Sequence, residues 1–173
     1  MGKLRRFLRG MGEDGTALIE FGLVGSAYLL LLVAAIEVGY MLFVQAALDN
    51  ATRDAARLIR TGQVQTSGDP QGTFKTLLCN ELTAVIPCAS LVYQTTSFSN
   101  WSAAQSEVGT PLMRDKSGNF VGTGFDGGSP SGIEVVQVTY NYPFFTPWVG
   151  SILGGNTDST LLVSTVVFQN EPY

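Results

Sequence analysis

Hydrophobic positions fall into two regimes along the 173 residues. From Thr16 to Phe43 they are nearly continuous, interrupted by two charges, Glu20 and Glu37. At about 1.5 Å per residue the uncharged stretch Phe21 to Ile36 alone measures ~24 Å, and with its flanks the run exceeds the ~30 Å hydrocarbon core of a bilayer. The pattern predicts a single membrane-spanning helix over residues 16–44.

Beyond the run the spacing becomes that of a folded domain. Ala46, Ala47, Ala51, Ala55, Ala56, Leu58 and Ile59 are good or acceptable helix formers, and Asp49 and Arg53 form an acid-to-base pair at helical spacing. The helix is therefore expected to continue outside the membrane over residues 45–62, with Gly62 as its stop. Ala47, Ala51, Ala55 and Leu58 form a stripe that fits either the chain's own sheet or a neighbouring helix. Gly22, Gly25 and Ser26 make a flat patch close to Glu20.

Residues 63–173 are expected to form an exported α+β domain. Gln63 to Gly72 reads as a polar linker ending in Asp69-Pro70, a cap followed by proline at the first helical position. Phe74, Leu77, Leu78, Leu82 and Val85 then predict an amphipathic helix terminated by Pro87. Three β-prone runs follow, Leu91 to Phe98, Ile133 to Tyr142 and Thr160 to Phe168, which predict an antiparallel sheet of at least three strands with one face on the long helix. Between the first two strands, residues 101–132 read as a Gly-, Ser- and Thr-rich insertion, flexible and poor in regular structure. Phe144-Phe-Thr-Pro-Trp148 reads as an apolar loop that either caps the sheet or meets a membrane or another subunit.

Charge orients this arrangement. Lys3, Arg5, Arg6 and Arg9 precede the span, whereas residues 61–173 hold eight acids and three bases. The excess of cations predicts a cytoplasmic leader over residues 1–15 and an exported domain. An acidic exported domain offers no footprint for nucleic acid. The spacing around Arg5-Arg6 does not fit a twin-arginine signal. An ordinary signal peptide cut after Val44-Gln-Ala46 is the competing reading, but its apolar core runs to about 7–15 residues, and this one is about twice that. In an oxidising compartment Cys79 and Cys88 read as a disulfide pinning the short helix to the following strand.

Glu20 is the anomaly. A carboxylate inside an apolar helix costs about 2.5–3.5 kcal/mol on insertion scales and calls for a partner. No Lys, Arg or His occurs between Thr16 and Val44. Cutting the bond after Gly15 would supply the missing cation as the free α-amine of Thr16.

The segment Gly15-Thr-Ala-Leu-Ile-Glu20-Phe21 resembles the processing motif of type IV prepilins and pseudopilins. The continuation Ile36-Glu-Val-Gly-Tyr40, Gln45-Ala-Ala-Leu-Asp-Asn50-Ala and Arg53-Asp-Ala-Ala-Arg57 is similar, more narrowly, to the TadE-like pseudopilins of the tight-adherence (Tad, or Flp) pilus machinery, as is the ending Asn170-Glu-Pro-Tyr173. The resemblance implies a pilin-like lollipop, cleavage between Gly15 and Thr16 by a prepilin peptidase, and Glu20 and Phe21 as assembly residues, with Glu37 as a second helix contact. It also implies sister pseudopilins or pilus subunits and an inner-membrane assembly platform as partners, alongside membrane lipid. The location it implies is the bacterial inner membrane, single-pass, with the exported domain periplasmic and passage into a pilus at the cell surface. A domain of this size implies a minor, tip or priming subunit.

Other constellations fail on context. Gly122-Thr-Gly124-Phe-Asp-Gly127 matches a dinucleotide fingerprint in letters but leads into Gly128-Ser-Pro130 instead of a helix. Asp126, or Asp115 with Ser117 and Asn119, gives only a weak calcium reading, and no other cofactor is expected. With no histidine in the chain the usual triads and imidazole metal ligands are excluded. Spacing does not bring Asp54 to Glu134 or Asp126 to Glu107, so no enzyme activity is expected. The rival to a pseudopilin is an uncleaved, membrane-anchored periplasmic module that binds an envelope polysaccharide or calcium.

Overall fold

The computed structural model describes residues 13–108, 121–122, 124–154 and 158–172. It divides into two units, residues 1–39 and 40–173. Within the first, the described residues belong to the opening part of helix α1, Glu13–Arg60. Its start lies three residues before the predicted span.

In the second unit, α1 ends as the sequence predicts. Gly62 adopts φ +75°, Gln63 N donates to Leu58 O at 3.1 Å and Gly62 N to Ile59 O at 3.0 Å. That pair of bonds satisfies the orphan carbonyls of the last turn in a Schellman motif, and Arg57 and Arg60 complement the negative end of the helix dipole. Helix α2, Pro70–Leu82, begins at the predicted cap, with Asp69 Oδ1 accepting from Gly72 N at 3.0 Å. It stops at Leu82, earlier than Pro87, and a 3₁₀ turn, Cys88–Ser90, leads into the sheet.

The sheet is a three-stranded antiparallel meander of β1 (Leu91–Phe98), β2 (Ile133–Pro143) and β3 (Ser159–Gln169), in that order. Leu91 pairs with Tyr140 and Phe98 with Ile133, while Ile133 also pairs with Gln169 and Pro143 with Ser159. Strand alternation puts Val136, Val138 and Tyr142 of β2 on the face covered by α1 and α2. There they join Val44, Leu48, Ala51, Ala55 and Ile59 of α1 and Phe74, Leu78 and Leu82 of α2 in one core. The predicted small-residue stripe is thus turned inward on the chain's own sheet, with Ala47 and Leu58 at its margins. Helix and strand also match in length: Tyr40 to Arg60 rises ~30 Å, and Ile133 to Tyr142 extends ~31 Å. Contacts at both ends set the alignment, since the Tyr40 and Tyr142 rings lie 6.3 Å apart and Glu171 N donates to Arg60 O at 2.9 Å.

Two expectations need correction. The insertion is not structureless throughout, because Trp101–Val108 forms helix α3. Asn100 starts it, its Oδ1 accepting from Ala103 N at 2.9 Å, and Ala104 packs on Ile133 and Val135 on the sheet's other face. The apolar loop likewise contains a short helix α4, Pro147–Leu153, with Val149 and Gly150 buried. The rest of the insertion between residues 109 and 120, including the Asp115, Ser117 and Asn119 constellation, lies outside the described residues, as do residues 1–12 of the leader and Tyr173.

Candidate functional site

In α1, Thr16 and Glu20 stand four residues apart, so they share one helix face. Both are exposed, and so are Leu18, Phe21, Leu23, Val24, Leu29, Leu30 and Leu31 around the helix. A helix apolar on all sides has no polar face to give to water. It is also the one described helix long and apolar enough to cross a membrane. Phe21, Gly22, Gly25, Ser26, Tyr28 and Leu29 line a shallow apolar recess one turn beyond Glu20, where the two glycines leave the backbone bare. Gly15 and Thr16 are both helical. Glycine weakens a helix by about 1 kcal/mol relative to alanine, so the first turn is the easiest to unwind. Glu37, by contrast, is only 4 % exposed.

A second acid site lies in the folded domain and was not anticipated. Glu134 is 0 % exposed, and neither carboxylate oxygen has a hydrogen-bond partner of good geometry. Burial pushes its pKa up from 4.5 to about 7; the Ser97 hydroxyl, paired across the ladder, opposes the shift only as a poorly aligned hydrogen-bond donor, and the charge of Asp126 adds to it. Around it runs the Gly127–Ser129 turn, whose carbonyls are held by two amides. Gln65 Nε2 donates to Ile59 O at 2.9 Å and to Gly127 O at 2.6 Å, and Asn170 Nδ2 donates to Gly127 O at 3.3 Å and Ser129 O at 3.1 Å. These bonds turn Gln65 Oε1 and Asn170 Oδ1 away from donors, and both are buried without partners. A buried carboxyl without well-aligned partners is favoured in its neutral, protonated form, the direction in which its pKa is displaced. Asp126 is exposed, its backbone N bonded to Thr95 Oγ1 at 2.6 Å.

The sequence carried one sign of this site. Glu134 shares the alternation phase of Val136 and Val138, which predicts an inward side chain.

Cys79 and Cys88 form the expected disulfide, with Cα atoms 5.3 Å apart. It ties α2 to the 3₁₀ turn before β1. The glycine-rich letters at Gly122 and Gly124 lead to no helix; Gly124 instead bridges to Gln94 and shields the free edge of β1, its O accepting from Thr95 N at 3.1 Å. Asp54 is exposed and Glu134 buried, so they form no pair, and the Glu107 side chain lies outside the described set. Among the described residues no three His, Cys, Asp or Glu side chains gather as a metal site.

Residues 15–57 match a protein-family model described as TadE-like protein. No curated protein and no solved structure matches the chain.

Proposed function

The chain is TadE-like from residue 15 to residue 57, the mark of a Tad pilus-associated protein, and from that premise we propose that it is a minor pseudopilin, processed by a prepilin peptidase and built into, or priming, a Tad-type pilus. Its role is structural and not enzymatic. The observation that carries the reading is the position of Glu20, exposed in the apolar part of α1 one turn from the bond at which the match begins.

Cleavage after Gly15 gives Thr16 a protonated amine at i−4 from Glu20. Pairing the two, within one subunit or between neighbours, neutralises both charges where lipid would otherwise penalise each. The recess beside Gly22 and Gly25 offers a neighbouring helix close approach. The basic leader stays cytoplasmic and the domain lies in the periplasm until assembly, with the platform and sister subunits as partners.

Intact mass and N-terminal sequence of the protein from its native membrane test this directly. A start at Thr16 is expected. A start at Met1 would favour an uncleaved anchored module, and a start at Ala47 would mean that α1 begins as a signal peptide.

A further inference from the structure

The folded domain carries an uncharged apolar surface at one end, built from two parts of the chain. On α1, Tyr40, Leu42 and Phe43 are exposed; on the β2–β3 connection, so are Phe145, Trp148, Ile152 and Leu153, with Phe145 at 70 % and Ile152 at 71 %. The two parts are one surface, because the Tyr40 and Phe145 rings are 5.9 Å apart and both contact Tyr142 at 6.3 Å. No charged residue occurs from Val38 to Leu48 or from Pro143 to Thr157. Helix α4 is fixed to the sheet by its inner side: Val149 is buried, and a side chain at Gly150 would come within 3.3 Å of Phe144 Cβ and 3.4 Å of the Asp158 backbone. Trp148 and Ile152, one turn apart, are left outward.

We infer that this surface lies on the bilayer that α1 crosses, with Phe145 and the outer side of α4 at the headgroup and acyl boundary. The inference rests on reading α1 as the membrane span. Covalent continuity selects lipid as the occupant. The span predicted over residues 16–44 closes at Tyr40 and Phe43, so both rings belong to the last turn of α1 before it leaves the hydrocarbon. Phe145 touches Tyr40 and is thereby held at the same level. Trp and Tyr favour that boundary, where a ring is half in lipid and its polar edge in water. A lipid contact of this kind gives the domain a second hold on the membrane and restricts its tilt before extraction into a fibre.

The test uses the full chain reconstituted in phosphatidylcholine and phosphatidylglycerol vesicles, some carrying lipid brominated high on the acyl chain. The two tryptophans are separated by Trp101→Phe, which leaves Trp148 as reporter, and Trp148→Phe, which leaves Trp101, exposed on α3 near the Ile133 end of the sheet. Flotation comes first. A chain that fails to float with the vesicles overturns the span itself and the inference with it. In floating protein, brominated lipid should quench Trp148 and spare Trp101, aqueous acrylamide should do the reverse, and Ile152→Lys with Leu153→Lys should reduce the lipid quenching of Trp148. Trp148 quenched by acrylamide as fully as Trp101 would overturn the inference while leaving the span intact. Protection of Trp148 from both quenchers would also overturn it, and would assign the surface to another copy or another protein.

Discussion

Gly128 lies directly against the carboxylate of Glu134. Its φ of +68° turns the chain so that the bare Cα faces Oε1, and a side chain there would occupy the position of that oxygen. The turn closes over a buried acid because the residue above it has no Cβ.

The acid makes stability depend on pH in a defined direction. Glu134 rises from 4.5 to about 7 on folding, so between those values the folded chain holds a proton that the unfolded chain has released. Its contribution is greatest below pH 4.5, declines as pH rises through the window, and is lost above about 7, a change of about 3 kcal/mol. Thermal melts of the detergent-solubilised chain from pH 5 to 8 should fall for the native sequence. Glu134→Gln should flatten that slope and melt higher at pH 8; an unchanged slope would show the carboxyl to be ionised and satisfied.

Gly128→Ala should destabilise through both the left-handed backbone, about 1–2 kcal/mol, and the collision with Glu134. Adding Glu134→Ala should recover the collision part only. Urea denaturation of the two single variants and the double variant reads the coupling directly.

The Cys79–Cys88 bridge closes a short loop, worth about 2–3 kcal/mol. Both cysteines are half-buried, so a reductant reaches them. Dithiothreitol should lower the melting temperature of the native protein and leave that of the Cys79→Ser, Cys88→Ser double variant unmoved.

Ala55 sits on the face that α1 turns to Val136 and Val138, and is 2 % exposed. Ala55→Leu should cost about 1–3 kcal/mol in the isolated domain by overpacking. If unfolding were unaffected and only fibre yield fell, the stripe would be a contact between subunits.

Glu20→Ala should leave the domain's melting curve and the Gly15–Thr16 cut in place and abolish assembly. Pilus yield measured alongside processing separates the outcomes. Normal yield would remove the charge-pairing role.

The elements were legible because their causes are local. The unbroken apolar run, Asp69 before Pro70, Gly62 after Arg60 and the alternation from Ile133 to Tyr142 each act within a few residues, and a sequence displays them. The site proposed at Gly15, Thr16 and Glu20 rests on the same local kind of argument, since a bond and an acid one helical turn apart need no tertiary contact to meet. Helix α3 was hidden because its cap, Asn100, lies in a stretch whose polar composition resembles a loop, and its one core residue, Ala104, is buried only by the far face of the sheet. The acid pocket needed the fold altogether. Alternation aimed Glu134 inward, but its isolation from water depends on the Gly127–Ser129 turn that folds back over it, and that turn is held by Gln65 and Asn170, which lie tens of residues away. The aromatic end of the domain is of the same kind: Tyr40 and Phe145 become neighbours because a strand of ~31 Å returns alongside ~30 Å of helix, a match of lengths that exists only once the two are packed.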